Sequence, residues 1–187
     1  VNAEAGLLFS SGGIQFKASA QLKQSPNWAF FSNSTGTGAA SVTGGFFDVG
    51  YSDARVTSVG GEMAISLPAE LQLSSTVYIH DTELTNLGVQ IPYHPRLSAQ
   101  LGLSFPFASR RGIVQVTGKF VGERYADITE TTTVDPFVDA DVYARYDVRP
   151  NIGLVLRLQN LGINDHELWA RYPQSPSIIM GGVRVLW

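Results

Sequence analysis

The chain has 187 residues, a net charge of −3 and no cysteine, which excludes a disulfide framework and thiolate chemistry. Its 13 lysines and arginines form no basic stripe, so nucleic acid is not an expected partner. No stretch approaches the ~18 consecutive apolar residues of a membrane-spanning helix, and a mean hydropathy of +0.04 does not by itself separate membrane from water.

Nine strands are predicted, in chain order at residues 1–9, 14–31, 46–67, 71–80, 97–107, 113–125, 138–149, 152–160 and 177–187. Residues 1–5 carry Glu4 and lack the basic start and apolar run of a signal peptide, so a mature or trimmed form is expected. In the second strand Ile14, Phe16, Ala18, Ala20 and Leu22 alternate with Gln15, Lys17, Ser19, Gln21 and Lys23. The second and third strands exceed the ~9–11 residues that cross a bilayer at a tilt, which places their upper ends above the membrane. The fifth shows the pattern best: Leu97, Ala99, Leu101, Leu103, Phe105 and Phe107 share one face, and Ser98, Gln100, Gly102 and Ser104 the other. In the sixth, Val114, Val116 and Phe120 oppose Gln115, Thr117 and Lys119. The seventh sets Val138, Ala140, Val142, Ala144, Tyr146 and Val148 against Asp139, Asp141, Tyr143, Arg145, Asp147 and Arg149. The eighth alternates Ile152, Leu154, Leu156 and Leu158 with Gly153, Val155, Arg157 and Gln159.

Connections alternate in length. Those at 10–13, 68–70, 108–112 and 150–151 are tight and rich in Gly, Pro and Asn. Those at 32–45, 81–96, 126–137 and 161–176 are each roughly 12–17 residues. Short turns at one end and long loops at the other are the arrangement of a transmembrane β-barrel. As read here, the apolar face carries no Asp, Glu, Lys or Arg, although 16% of the chain is charged. A Lys or Arg on that face at mid-bilayer would cost ~2–4 kcal/mol.

Periodicity alone leaves the inside face open, and a soluble lipocalin-like barrel would bury the apolar face instead. Three features favour the membrane: the strict alternation of loop lengths, the ionic composition of the other face, and the ending. That other face holds Lys17, Lys23, Glu62, Lys119, Glu123, Asp139, Asp141, Arg145, Asp147, Arg149, Arg157 and Arg184. The last strand presents Val183, Val185 and Trp187 on one side up to the terminus, which resembles the signal read by the outer-membrane assembly machinery. Phe9, Phe105, Phe107, Tyr146 and Trp187 fall near tight turns, and Phe120 and Tyr125 toward long loops, as in the aromatic girdles of such barrels. The fold class expected is therefore all-β, an antiparallel transmembrane β-barrel in the outer membrane of a Gram-negative-type bacterium, in contact with its lipid. Nine strands do not close an even-numbered single-chain barrel. Either the count is off near 28–50, or further strands pair with strand 1–9.

Several short motifs come in a telling order. The strand pair 4–9 and 14–28 precedes the stretch 51–62, in which Gly61-Glu62 ends a Gly-x-Glu pattern and Pro68 follows at the turn. Ile91-Pro92 and Pro95 precede the next strand, Asn160-Leu161 closes the penultimate one, and Tyr172-Pro173 precedes the last. Together these resemble the C-terminal barrel region of TonB-dependent outer-membrane receptors over nearly the whole chain. Departures are Gly162-Ile163 for the usual Phe-Asp, Ser175-Pro176-Ser177 for Pro-Gly-Arg, and Trp187 for a terminal Phe. The N-terminal plug, the motif that engages TonB and about half of the family's 22-stranded barrel have no counterpart in these residues. The resemblance therefore implies a fragment, or one piece of a split receptor, spanning 1–187 as a single barrel portion. Its partners would be the remaining strands and the plug, and indirectly the TonB system.

Candidate site residues fall into two groups. Tyr93, His94, Trp169, Arg171 and Tyr172 in the long loops are candidate ligand-facing residues, because aromatics and Arg are favoured at binding sites; they would serve equally as interfacial anchors. Lys119, Asp139, Asp141, Arg145, Asp147, Arg149, Arg157 and Arg184 are expected to face the lumen, as an ionic network or a substrate path. His80, His94 and His166 lie near Asp81, Glu83, Asp165 and Glu167, but nothing in their spacing forces convergence on a metal. They are expected to be solvated loop residues. No serine sits in a nucleophile motif, so neither an enzyme nor a cofactor is expected. The function implied by the resemblance is import of a scarce nutrient such as a ferric siderophore; the alternative is a small self-contained barrel that anchors or binds.

Overall fold

In a bilayer the backbone can be satisfied only by its neighbours, so alternating sequences of this kind must pair side by side. The computed structural model describes residues 1–33, 47–162, 166–173 and 176–186, and in it they do so. Nine strands form one antiparallel sheet: β1 (Asn2–Ser11), β2 (Ile14–Asn33), β3 (Phe47–Ser66), β4 (Gln72–Leu84), β5 (Leu97–Phe107), β6 (Gly112–Val121), β9 (Phe137–Arg149), β10 (Ile152–Gln159) and β13 (Ile178–Val185). Their order in the sheet is their order in the chain, each strand beside the next. Two small hairpins, β7 (Arg124–Tyr125) with β8 (Thr133–Val134) and β11 (Glu167–Trp169) with β12 (Tyr172–Pro173), lie within long connections. The nine predicted strands are thus the nine observed. Two boundaries need correction: residues 122–125, assigned to the sixth strand, leave the sheet after Val121, and Arg124 turns into the loop hairpin, while residues 81–84, assigned to the long loop, continue β4 by pairing with β3. The connection read over 32–45 lies almost entirely outside the described residues, and so do Ile163, Asp165, Ser175 and Trp187.

Register follows from the alternation. Leu7 faces Ala18, Phe9 faces Phe16, and Phe16 faces Met63, so the apolar row is continuous across β1, β2 and β3. Farther along, Leu103 faces Val116, Val116 faces Val142, and Leu156 faces Ala144. The polar row is equally continuous, with Lys17 opposite Glu62, Glu62 opposite Thr76, and Lys119 opposite Asp139. A cavity of about 570 Å³ is lined from Ser10 and Gln15 through Ser74 to Gln115 and Thr117, residues spread over six adjacent strands. Only a sheet curled around its polar face can bring them to one cavity. The apolar row is therefore on the outside, where Leu101 is 56% exposed and Ile179 74%. β1 and β13 form the two edges and do not pair with each other, so the described residues make an open arc and not a closed barrel.

The outer ends of β3 and β4 reverse this chemistry without changing which residues face inward. Below, Val59 and Ile79 face out as partners while Ser58 and His80 face in. Above, Thr57 pairs with Asp81 and Arg55 with Glu83 on the outside, the latter as an ion pair of 2.5 Å. On the inside at that height, Phe30, Ala54, Leu84 and Ile91 form an apolar core, with Trp28, Val56, Val89 and Ile128 packed against it. The expectation of a charge-free apolar face therefore holds only below this level. Charges emerge where the strands rise out of hydrocarbon, and the inner face there is covered by loops, as in a water-soluble protein. Phe107 and Tyr146 stack outward at 6.0 Å beside the tight turns at the other end, with the Arg111 guanidinium 5.2 Å from the Tyr146 ring.

Swapping the two faces of β5 tests this assignment. Leu101→Arg is expected to lower folding stability in phospholipid bilayers by ~2–4 kcal/mol, and Gln100→Arg to change it by about 0.5 kcal/mol or less. Equilibrium refolding in lipid vesicles reads the difference, and equal costs would contradict the inside-outside assignment.

Candidate functional site

The lumen wall is a chain of short-range charge contacts. Lys119 Nζ donates to Asp141 at 2.7 Å, and the other Asp141 oxygen accepts the Asn160 backbone N–H at 3.2 Å. Asp147 lies 3.5 Å from Arg145 and 3.4 Å from Arg184, bridging β9 to β13 across Gly153. Arg157 lies over the Tyr143 ring at 5.8 Å, and Asp139 is buried, accepting from the Ala140 N–H. Arg149 stands apart: a bulge between β9 and β10 breaks the alternation, and it is exposed beside the turn at 150–151. The paired side chains are partly exposed, so each contact contributes at most ~1 kcal/mol. Their sum fixes register more than stability. Along β3 the Gly-x-Glu pattern has a local logic. Tyr78 lies across Gly60, where a Cβ would strike its ring and the Val77 carbonyl, and its hydroxyl donates to Glu62 at 2.8 Å.

At the loop end, three connections interlock. Arg124 is buried, and its Nη2 donates to the carbonyls of Glu167 and Leu168, both at 2.9 Å, while Nη1 reaches Asp135 O at 3.4 Å. The guanidinium also lies 5.3 Å from the Phe137 ring, which stacks on His166 at 3.9 Å. Burial pushes Arg124 below its ordinary value, with the nearby Tyr93 opposing. Ala126, Val134 and Ala170 form a small core beneath, with Tyr93 against it. Asp127 knots the segment above. Its carboxylate accepts from the Thr129 N–H at 2.9 Å, the Thr129 hydroxyl at 2.6 Å and the Thr132 N–H at 2.7 Å. Burial pushes this carboxyl up, but hydrogen bonds from Thr129, Thr132 and Thr131 outweigh it and hold the group at about 2.

The structure brings some predicted site residues together and separates others. Tyr93 and Trp169, far apart in sequence, meet with ring centroids 4.5 Å apart at the mouth. Tyr93 adopts a left-handed φ of 60° and donates its N–H to Tyr125 O at 2.7 Å, which ties the loop of residues 85–96 to the hairpin β7–β8. Burial raises the Tyr93 phenol. Tyr172 and Arg171 are exposed at the tip of the hairpin β11–β12, with the Arg171 N–H on the Glu167 carboxylate at 2.7 Å. Val183 and Val185 face outward and are exposed; Trp187, the third residue of the expected assembly signal, is outside the described residues.

The expectation of solvated histidines fails for His166, which is buried, while His80 and His94 are half-buried. His166 is 8% exposed and stacked on Phe137, while His80 faces the lumen against His94. Flat aromatic neighbours and the loops' return over the inner face cover them to these different degrees, and spacing along the chain carries no trace of either. Arg124 and Asp127 were missed for different reasons. The Asp-Ile-Thr-Glu-Thr-Thr run at 127–132 does carry a signal, since Asp and Thr side chains bond backbone groups two to five residues on. Arg124 carries none, because its closest partners are the carbonyls of Glu167 and Leu168, more than forty residues away.

A sequence model of the family described as TonB dependent receptor-like, beta-barrel matches residues 1–161. Comparison with curated proteins finds no significant match. Among solved structures, the copper transporter OprC matches 98% of this chain at 14% identity with a TM-score of 0.74. The pyoverdine outer-membrane receptor FpvA from Pseudomonas aeruginosa PAO1, bound to pyoverdine, matches 100% at 13% identity and 0.68. The siderophore receptor PiuA from Acinetobacter baumannii matches 98% at 18% and 0.68. At these identities the likeness is one of fold. The chain spans 30%, 29% and 28% of those three proteins, respectively.

Two outcomes follow from the interlocked loops. Arg124→Met leaves three carbonyls without their donor, and a loss of ~1–3 kcal/mol of local stability is expected, read as faster proteolysis and hydrogen exchange of residues 166–173. The Asp127 knot contributes stability that is fully present above the ordinary carboxyl value of 3.8 and is lost as pH falls toward about 2. Exchange protection of the Thr129, Thr131 and Thr132 amides should therefore persist at pH ~4 and vanish near pH ~2.

Proposed function

The chain belongs to the TonB-dependent receptor β-barrel family, and from that premise we propose that it forms the C-terminal wall of a receptor importing a scarce nutrient such as a ferric siderophore. The family is one of outer-membrane transport receptors of Gram-negative bacteria, so the apolar outer row faces lipid. In this reading the outer loops capture the ligand and a plug seated in the barrel then rearranges under force from the inner membrane through TonB. The plug and the remaining strands are partners of the arc described here. The observation that carries the reading is the Tyr93–Trp169 pair at the mouth, held by Arg124 and opening onto the ionic lumen. Planar aromatics beside Arg171 suit a bulky, anionic chelate, because they supply stacking area and charge without a rigid pocket. Lumen groups such as Lys119, Asp141, Arg145, Asp147, Arg157 and Arg184 would line the path or meet the plug.

The self-contained small barrel receives no support from the sheet, since β1 and β13 do not pair. Both run toward the tight turns, so an all-antiparallel closure takes an odd number of added strands, whichever polypeptide supplies them.

Uptake of radiolabelled iron presented as ferric siderophores tests the proposal in iron-starved cells producing the protein. Uptake is expected to require an active TonB system, and Trp169→Ala is expected to weaken binding about tenfold, the loss of ~1.4 kcal/mol. Uptake indifferent to TonB, or no gain over cells lacking the protein, would remove the importer reading.

A further inference from the structure

The connection between β4 and β5, residues 85–96, doubles back over the inner face and sets His94 against His80. The two imidazoles meet edge to face with centroids 5.2 Å apart. His80 stands on β4 between two serines: its Nδ1 is 2.8 Å from the Ser58 hydroxyl on β3 and its Nε2 3.1 Å from the Ser98 hydroxyl on β5. Tyr78 stacks on the same ring at 6.1 Å. His94 Nδ1 lies 3.4 Å from the Pro95 carbonyl, and Gln90 donates to the His94 carbonyl at 3.3 Å.

Every element packed against the pair presents a neutral group to it: Ser58 from β3, Tyr78 from β4, Ser98 from β5, Gln90 from the loop itself. Charges stand one residue farther off. Glu62 accepts from Tyr78, Glu130 of the neighbouring loop accepts from the Gln90 N–H, and Arg96 offers only its backbone carbonyl, to the His80 N–H. Among the described residues no carboxylate pairs with either ring.

Two partly buried imidazoles at this distance, with no counter-ion, repel each other once both carry a proton. We infer that His80 and His94 form a pH-operated latch, which holds residues 85–96 over the lumen when neutral and releases them in mild acid. Burial pushes His94 below its ordinary value, and the Pro95 carbonyl only partly opposes this. A group depressed in the closed state stabilises that state above its ordinary value of ~6.5, and the contribution is lost as pH falls below it. Release is a loosening and not an unfolding. The loop keeps its apolar anchor at Leu84 and Ile91, and the neighbouring knot at Asp127, held at about 2, stays ionised throughout. The latch does not depend on what the receptor carries.

Hydrogen exchange of the protein, extracted from native outer membranes into lipid nanodiscs, tests it between pH 7.5 and 5.0 after correction for intrinsic rates. Protection of residues 85–96 is expected to fall at least about tenfold, while the amides of Thr129 to Thr132 hold theirs. His94→Gln should shrink the response, and the double variant His80→Asn/His94→Gln should flatten it. Should the double variant fold poorly, His80→Asn alone must still reduce the response by several-fold. A loop whose protection ignores pH, or a full response surviving in the variants, would overturn the latch.

Discussion

Hydrocarbon on one side of a sheet is the constraint from which the rest follows. Each backbone group must be bonded by a neighbouring strand, since no water can substitute for it there. That requirement explains why the strands lie in chain order with continuous ladders from β1 to β13. It also explains the outward row. Leu7, Val59, Ile79, Leu101, Leu156 and Val183 are exposed as a protein surface would rarely be in water, because their solvent is lipid. The inner row is then free to be ionic, and contacts such as Lys119–Asp141 and Arg184–Asp147 serve as cross-strand stitches.

Glycine and aromatic residues set the fine register of the sheet on both of its faces. Tyr78 can lie flat only because its partner Gly60 has no side chain, and from there its hydroxyl reaches Glu62, two residues along the same face. Phe30 over Gly50 at the outer end and Phe107 over Gly112 at the turn end repeat the device. An aromatic laid over a bare backbone shields the ladder and fixes which strand positions can oppose each other.

How much of this was legible depends on the range of the interaction. Strand existence, inner and outer rows and the alternation of turn lengths follow from neighbours two residues apart, as Leu97 to Phe107 illustrates, so they can be read directly. The family resemblance was readable for the same reason: motifs such as Gly61-Glu62 and Asn160-Leu161 are local. The mouth was readable in composition only. Tyr93 and Trp169 were singled out as aromatics, but their contact is made by Arg124 bridging loops more than forty residues apart. The same holds for His80 and His94, which a loop brings together by folding back. The bulge that carries Asn27 at a φ of 50° moves Trp28 and Phe30 onto the inner face, and a strict period of two could not anticipate that shift.

The reversal of chemistry along β3 and β4 joins these threads. The same alternation continues through Val59, Thr57 and Arg55 on the outside, yet its meaning inverts, because the medium changes from lipid to water between those positions. Below that level a polar inner face and an apolar outer face are stable; above it the stable arrangement is an apolar core of Phe30, Ala54 and Leu84 under a charged exterior. Asp81 opposite Thr57 marks the boundary. His80 is the next residue below Asp81 and faces the lumen, where the loop core ends and the polar wall begins. There the loop of residues 85–96 above and the Ser58 and Ser98 hydroxyls on both flanks surround the imidazole pair, at the height where the loops leave the sheet.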